Sequence, residues 1–259
     1  MPLADLLSMT RQRLKDLASL TRRKGRRQLE QFLVEGVRSV EAAIAAGAPL
    51  VEVLVAPEAL DTERVVALVD ATSVPVHSVA ARELARIGDA RTSQGVLAVS
   101  ASIVRRQLEA EGPVMVLDGV QDPGNVGALV RSAAWFGVSA VVADARSADF
   151  EGPKAVRASM GGLWDLQLVR VSRLAPVLDR LRDAGRALWG ADMHGTAVSS
   201  WRPSASDVLV LGNEGNGLSD EVAACLSGRV SIPGAESTRG VESLNVGVAA
   251  GVILHRWLG

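Results

Sequence analysis

Short apolar runs bounded by turn-forming residues recur along the chain, and between them apolar positions repeat at the three-to-four spacing of helices. Val114-Met115-Val116-Leu117 is one such run and reads as a buried strand. It empties into a polar, glycine-rich turn, Asp118 to Gly124, after which Val126, Leu129, Val130, Ala133 and Ala134 recur at i, i+3, i+4, i+7 and i+8, the stripe of a helix packed along one side. Asp122 is placed to cap that helix, and Pro123 sits in its first turn, where a missing N–H costs nothing. Arg131 falls off the stripe, at the border of the polar face.

Ahead of this unit the pattern predicts a strand over 32–35, a helix over 37–46 stopped by Gly47 and Pro49, and a strand over 51–55. A helix over 64–70, a strand over 74–79, a short helix over 81–87 and a strand near 95–99 follow. Residues 102–111 are charged and lead to Gly112-Pro113, which predicts a linker with possible helical character. Beyond the central unit come a strand over 138–143, a loop and helix start over 149–162 carrying Lys154 and Arg157, and a strand, helix and strand over 169–172, 175–184 and 186–191. Two further apolar runs end in polar loops: Val208-Leu209-Val210-Leu211 before Gly212-Asn213-Glu214-Gly215, and Val230-Ser231-Ile232-Pro233 before a loop that reaches Ser243-Leu244-Asn245 and a last helix over 244–258. The alternation is that of an α/β chain with a mostly parallel sheet. In such sheets ligands bind outside the carboxyl ends of the strands, so the three loops are expected to converge on one site.

Composition narrows the partners. With 259 residues, of which 48% are hydrophobic, the chain can bury a large core or two ordinary ones. A formal net charge of −1 does not announce nucleic acid, so an RNA partner would have to meet a local patch. One is present: residues 11–27 carry Arg11, Arg13, Lys15, Arg22, Arg23, Lys24, Arg26 and Arg27 against Asp16 alone. The run reads either as a solvated helix face or as a phosphate-binding surface. The single cysteine, Cys225, excludes intramolecular disulfides and suits a reducing cytoplasm. His77, His194 and His255 have no ligand spacing, so no metal is expected, and no apolar run approaches a membrane span.

Three stretches taken together resemble one family. Asn125-x-Gly127-x-x-x-Arg131, Leu211-Gly212-x-Glu214-Gly215 and Ser243-Leu244-Asn245-Val246 match, in order and spacing, the three motifs of the SpoU, or TrmH-like, RNA ribose 2′-O-methyltransferases of the SPOUT class. The resemblance implies a SPOUT domain over 113–259 with a deep trefoil knot formed by the last segment, a linker over 102–112, and a smaller ribosomal-protein-like α/β RNA-binding domain over 1–101. The phrases Phe32-Leu33-Val34-Glu35-Gly36 and Gln94-Gly95-Val96-Leu97-Ala98-Val99 are similar to that smaller module.

The resemblance further implies S-adenosylmethionine as methyl donor, held by Leu211, Gly212, Gly215, Ile232, Pro233 and Leu244. It implies Arg131 as the group that activates the 2′-hydroxyl, and Asn125, Glu214, Ser243 and Asn245 as the other catalytic positions. An arginine stays protonated and has no acceptor when charged, so its safer role is to orient a phosphate and stabilise a developing alkoxide. Glu214 could pair with Arg131 or accept a proton; Ser243 and Asn245 could orient substrate or cap the last helix. Gly212, Ile232 and Leu244 have an adequate purely structural reading as a turn, a strand end and a core residue. The implied RNA contacts are Arg22, Arg23, Lys24, Arg26 and Arg27, and the implied assembly is a homodimer acting on ribosomal RNA, 23S first, with transfer RNA as the alternative. A catalytically silent ribosome-assembly factor is the competing class. The loop 234–242 is longer than the usual third-motif connection, and Gly247 stands where serine is common.

Overall fold

The computed structural model describes residues 9–90, 92–235 and 243–259. The third-motif loop expected to be long therefore lies, over 236–242, outside the described residues. The chain divides into two compact units, one holding Met1–Ile103 with Glu151–Trp164, the other Val104–Phe150 with Asp165–Gly259.

In the first unit, helices α1 (Arg11–Ser19) and α2 (Arg23–Leu29) precede β1 (Gln31–Glu35), α3 (Val37–Ala45), β2 (Leu50–Val55), α4 (Glu63–Ala71), β3 (Val76–Ser78), α5 (Ala81–Ile87) and β4 (Val96–Ala101). The sheet order is β1-β4-β2-β3; β4 runs antiparallel to both neighbours and only β2 and β3 pair in parallel. Leu17, Leu20, Leu33, Leu54, Leu84, Ile87 and Leu97 form its core. Helix α7 (Pro153–Ser159), although it follows the linker and the central motif in sequence, packs in this unit against β1. Trp164 stacks on Phe32 with ring centroids 5.8 Å apart.

The basic run does not form one surface. Arg13 is held by Glu52 through Nε at 2.8 Å and Nη2 at 2.6 Å. Gly25 lies so close to α1 that a Cβ there would meet the Ser19 carbonyl oxygen at 2.2 Å. Next to it Arg26 is buried, its Nη1 donating to the carbonyls of Leu20 at 2.8 Å and Thr21 at 3.1 Å. Arg26 thus ties the α1–α2 corner from inside, and of the five expected RNA-contact residues it is the one whose side chain is not offered to solvent. Arg22, Lys24 and Arg27 are exposed and Arg23 is partly so. Arg157 is likewise occupied, reaching Glu35 at 3.1 Å and Asp89 at 2.9 Å.

In the second unit β5 (Val114–Leu117), α6 (Pro123–Trp135), β6 (Ala140–Ala143), β7 (Gln167–Arg170), α8 (Ala175–Asp183), β8 (Leu188–Ala197), β9 (Val208–Leu211), α9 (Asp220–Ala223), β10 (Gly228–Ser231) and α10 (Val246–Leu258) follow one another. Six parallel strands lie in the order β10-β8-β9-β5-β6-β7. Every residue of β5, β6 and β9 is buried, as expected of parallel strands covered on both faces. The linker forms no helix. Arg105 instead bridges to β7, its N–H on the Leu168 carbonyl at 2.8 Å, and Gln167 Oε1 accepts from the N–H groups of Glu109 and Ala110. From β5 the chain builds outward through β6 and β7, then crosses to β8 and β9 on the other side. The order therefore reverses between β5 and β9, and a crevice is expected at their carboxyl ends.

Candidate functional site

The strand β5 stops at Asp118, and Asp122 caps α6 as its sequence position suggests, accepting from the Asn125 N–H at 3.0 Å. Capping fixes the first turn of α6 beyond the carboxyl end of β5, and the Asn125 side chain there reaches both other motifs. Its Nδ2 donates to Glu214 Oε1 at 2.9 Å, and its Oδ1 accepts from Asn245 Nδ2 at 3.1 Å. One residue from each of the three motifs is thereby joined in a single chain of hydrogen bonds. Asn245 also caps α10, its Oδ1 accepting from the N–H groups of Gly247 at 2.9 Å and Val248 at 3.4 Å. The capping reading of this residue is thus what the structure shows.

Glu214 also accepts from the Gln121 N–H at 3.4 Å. Burial pushes its carboxyl up, but the Asn125 amide and the backbone N–H groups of Glu214, Gln121 and Asp122 outweigh that and hold its pKa below the usual carboxylate value. Glu214 is therefore ionised at neutral pH and acts as an acceptor. Arg131 is exposed on α6 and makes no ion pair among the described residues, so it is not Glu214's partner. Ser243 is exposed as well and makes no hydrogen bond to the Asn125, Glu214 and Asn245 chain among the described residues.

The expected cofactor positions differ in what they can offer. Leu211 is 1% exposed, so its side chain belongs to the core and only its main chain reaches the strand end. At Gly212 a Cβ would lie 2.4 Å from the Gly217 carbonyl carbon, because the loop folds straight back through paired backbone bonds between Asn213 and Gly217. Gly215 and Pro233 are exposed and Ile232 is half-buried. Leu244 is 47% exposed, which removes its reading as a core residue. The small residues of α10 split: a Cβ on Gly247 would sit 3.6 Å from Ala128 of α6, whereas one on Gly251 would meet nothing within 4 Å. Among the described residues there is no group of three side chains suited to a metal ion, and no helix is long and apolar enough to cross a membrane.

A second set of polar residues lies behind the motif residues, in this same unit. Asp118 and Asp144 each stand one residue beyond a strand, on the neighbouring strands β5 and β6, and both are buried. Asp144 Oδ1 accepts from the N–H groups of Gly119 at 3.1 Å and Ser147 at 2.9 Å and from the Ser147 hydroxyl at 2.7 Å. Burial raises the Asp144 carboxyl, but the Ser147 hydroxyl, Arg146 and those N–H groups together bring its pKa below the usual value. Sequence reasoning missed Asp144, Arg146 and Ser147. The available signal was a carboxylate immediately after a fully apolar strand.

A depressed folded-state pKa gives stability that is complete above the unfolded value, about 3.9 for aspartate, and is lost as pH falls through the folded value. The stability gap between the natural protein and Asp144→Asn, measured by urea unfolding, is expected to be constant from about pH 8 to 5 and to shrink below about pH 4. A gap that stays constant to pH 2 would show that the carboxylate charge is not what stabilises.

Comparison with known proteins places the chain in a family. Residues 112–255 match the model of the SpoU rRNA Methylase family, and residues 11–98 match that of the MRM3-like substrate binding domain. The chain is 35% identical over 156 residues to an uncharacterized tRNA/rRNA methyltransferase of Archaeoglobus fulgidus, covering 59% of this chain and 67% of that one. Its fold superposes on the SpoU methyltransferase AviRb of Streptomyces viridochromogenes, solved with AdoMet, at a TM-score of 0.85 and 29% identity over 96% of this chain and 97% of that one. It also superposes on an RNA 2′-O ribose methyltransferase at a TM-score of 0.80 and 26% identity, covering 98% and 97%. With the family model spanning more than half of its length, and the three motifs hydrogen-bonded at one crevice, this chain belongs to the SpoU rRNA Methylase family.

Proposed function

We propose that the protein transfers the methyl group of S-adenosylmethionine to a ribose 2′-hydroxyl of structured RNA, ribosomal RNA being favoured over transfer RNA. The observation that carries this reading is the chain Glu214–Asn125–Asn245, which joins the three motifs at the sheet's switch point, on the same helix α6 as an Arg131 uncommitted to any ion pair among the described residues. In the transfer the 2′-oxygen bonds to the methyl carbon as the carbon–sulfur bond breaks. The hydroxyl proton would pass to solvent water, and the donor would leave as a neutral thioether. Backbone of residues 211–215 and 232–233 and the exposed face of Leu244 would hold the donor. Arg131 would orient the substrate phosphate and stabilise negative charge on the oxygen, while the hydrogen-bond chain fixes the surrounding side chains and positioning supplies much of the rate.

The first unit would hold RNA, which its match to a substrate-binding domain supports. Mapping ribose methylation in ribosomal and transfer RNA from cells with and without this gene tests the whole reading. A methyl mark that disappears identifies the substrate. Unchanged maps, together with no S-adenosylmethionine binding in calorimetry, would favour the silent assembly factor.

A homodimer belongs to the same proposal. Val248 and Val252, one turn apart on α10, stand 55% and 39% exposed, and Leu244, just ahead of the helix's cap, 47% exposed. Trp135 at the end of α6 is 83% exposed. Val248→Glu is expected to convert a dimer to a monomer in sedimentation velocity. A natural protein that already sediments as a monomer at working concentration would overturn the dimer.

A further inference from the structure

We propose that Arg146 is a positioning residue for the cofactor loop: by bridging two buried carboxylates at the ends of neighbouring strands, it keeps one free to anchor the loop that carries Gly212 and Glu214 and the other free to hold the Gly119 turn to which that loop is tied. The inference rests on the proposed S-adenosylmethionine reading of that loop.

The Arg146 side chain is 60% exposed, whereas the side chains of Asp118 and Asp144 are 1% and 5% exposed. Its Nη2 is bonded to Asp118 Oδ1, and its Nε donates to Asp144 Oδ2 at 2.7 Å. Each carboxylate therefore gives one oxygen to the guanidinium and the other to backbone. Asp118 Oδ2 accepts from the Ser219 N–H at 2.6 Å, and Asp144 Oδ1 takes the Gly119 N–H. Ser219 closes the loop that begins at Gly212. The other end of that loop is tied by Asn213 Nδ2, which donates to the Gly119 carbonyl at 2.8 Å. Gly119 has a φ of +70°, and a Cβ there would lie 3.7 Å from the Arg146 guanidinium carbon, so the turn passes directly beneath the bridge.

Two carboxylates buried side by side disfavour each other's ionisation. A cation that reaches both removes that conflict, and the guanidinium does so with two N–H groups held in a fixed fork. The other charges acting on Arg146 do not replace it. Glu221 adds a further negative charge, and it is itself paired with Arg173. Without the guanidinium, two buried carboxylates would face each other with no counter-charge between them; one would move toward water, and Ser219 or Gly119 would lose its acceptor. The cofactor loop would then be anchored at one end only. Nothing in this chain of bonds touches the reacting atoms, which is why the effect belongs to positioning.

The test uses the full chain with Arg146→Ala and Arg146→Lys, reading S-adenosylmethionine affinity by calorimetry and amide exchange of residues 212–221. Arg146→Ala is expected to bind the donor roughly ten-fold or more weakly, as loss of a charged hydrogen-bond network implies. Exchange should quicken in 212–221 and remain unchanged in 114–117 and 140–143. Arg146→Lys, able to serve one carboxylate, should fall between. Natural affinity and natural loop exchange in Arg146→Ala would overturn the proposal, leaving an ordinary surface ion pair. Faster exchange throughout the unit, or an Arg146→Ala chain that does not fold with Arg146→Lys no different from the natural protein, would also overturn it, making the residue a stabiliser of the fold. If the natural protein fails to bind S-adenosylmethionine, the cofactor reading fails by itself, and the exchange of 212–221 still decides what Arg146 does.

Discussion

Replacing Arg131 by alanine is expected to lower kcat for methyl transfer by at least about 10²–10³-fold, the scale of losing one donor to a developing oxyanion, while S-adenosylmethionine affinity stays within a few-fold. The two readouts separate because of where the residue stands. Arg131 is six residues beyond Asn125 on α6, about 9 Å further along the helix axis, and its exposed side chain is in no ion pair among the described residues. The proposed donor-holding backbone belongs to the loops after β9 and β10, which receive no hydrogen bond from Arg131 among the described residues. A substitution there removes charge from the substrate side and leaves the loops as they were. Arg131→Lys is expected to recover only part of the rate, since an ammonium keeps the charge and loses the fork that fits a phosphate. Loss of donor binding together with activity in Arg131→Ala would place the residue in the cofactor site and overturn its assignment.

The motif loops are legible in the sequence because each follows a short apolar run, and a parallel strand buried on both faces leaves hardly any other pattern. The same runs set the helix starts: Asp122 and Asn245 both cap where their spacing suggests. What cannot be read is tertiary. The spacing of Arg22, Arg23, Lys24, Arg26 and Arg27 contains no sign that Arg26 turns inward, because that depends on Gly25 letting α2 come down onto α1. Arg146 looks like any exposed arginine after a strand until two carboxylates from separate strands are found on it. The segment Glu151–Trp164, which holds helix α7, joins the first unit through Trp164 on Phe32 and Arg157 on Glu35, pairs of residues far apart along the chain. The charge of the linker suggests a helical turn; the N–H groups of Arg105, Glu109 and Ala110 instead find acceptors along β7.

The burial of Arg26 changes how the RNA surface should be probed. Substituting alanine for Arg22, Arg23, Lys24 and Arg27 together is expected to weaken RNA binding and to flatten its dependence on salt, by about 0.7 to 0.9 in the log–log slope for each phosphate no longer neutralised, so by about 3 if each of the four neutralises one. The effect should be nearly the same for RNAs of different sequence, because basic side chains on phosphates position a substrate without reading it. S-adenosylmethionine affinity should not change. Arg26→Ala should behave in the opposite manner. It leaves the Leu20 and Thr21 carbonyls without their donor, at a cost of about 1–3 kcal/mol in folding stability, and it leaves the salt slope of the folded protein alone. A four-fold variant that binds RNA with natural affinity and slope would make the run a solvated face. A slope reduced by Arg26→Ala alone would mean that the α1–α2 corner opens when RNA binds, since a guanidinium held on two carbonyls cannot reach a phosphate without releasing them.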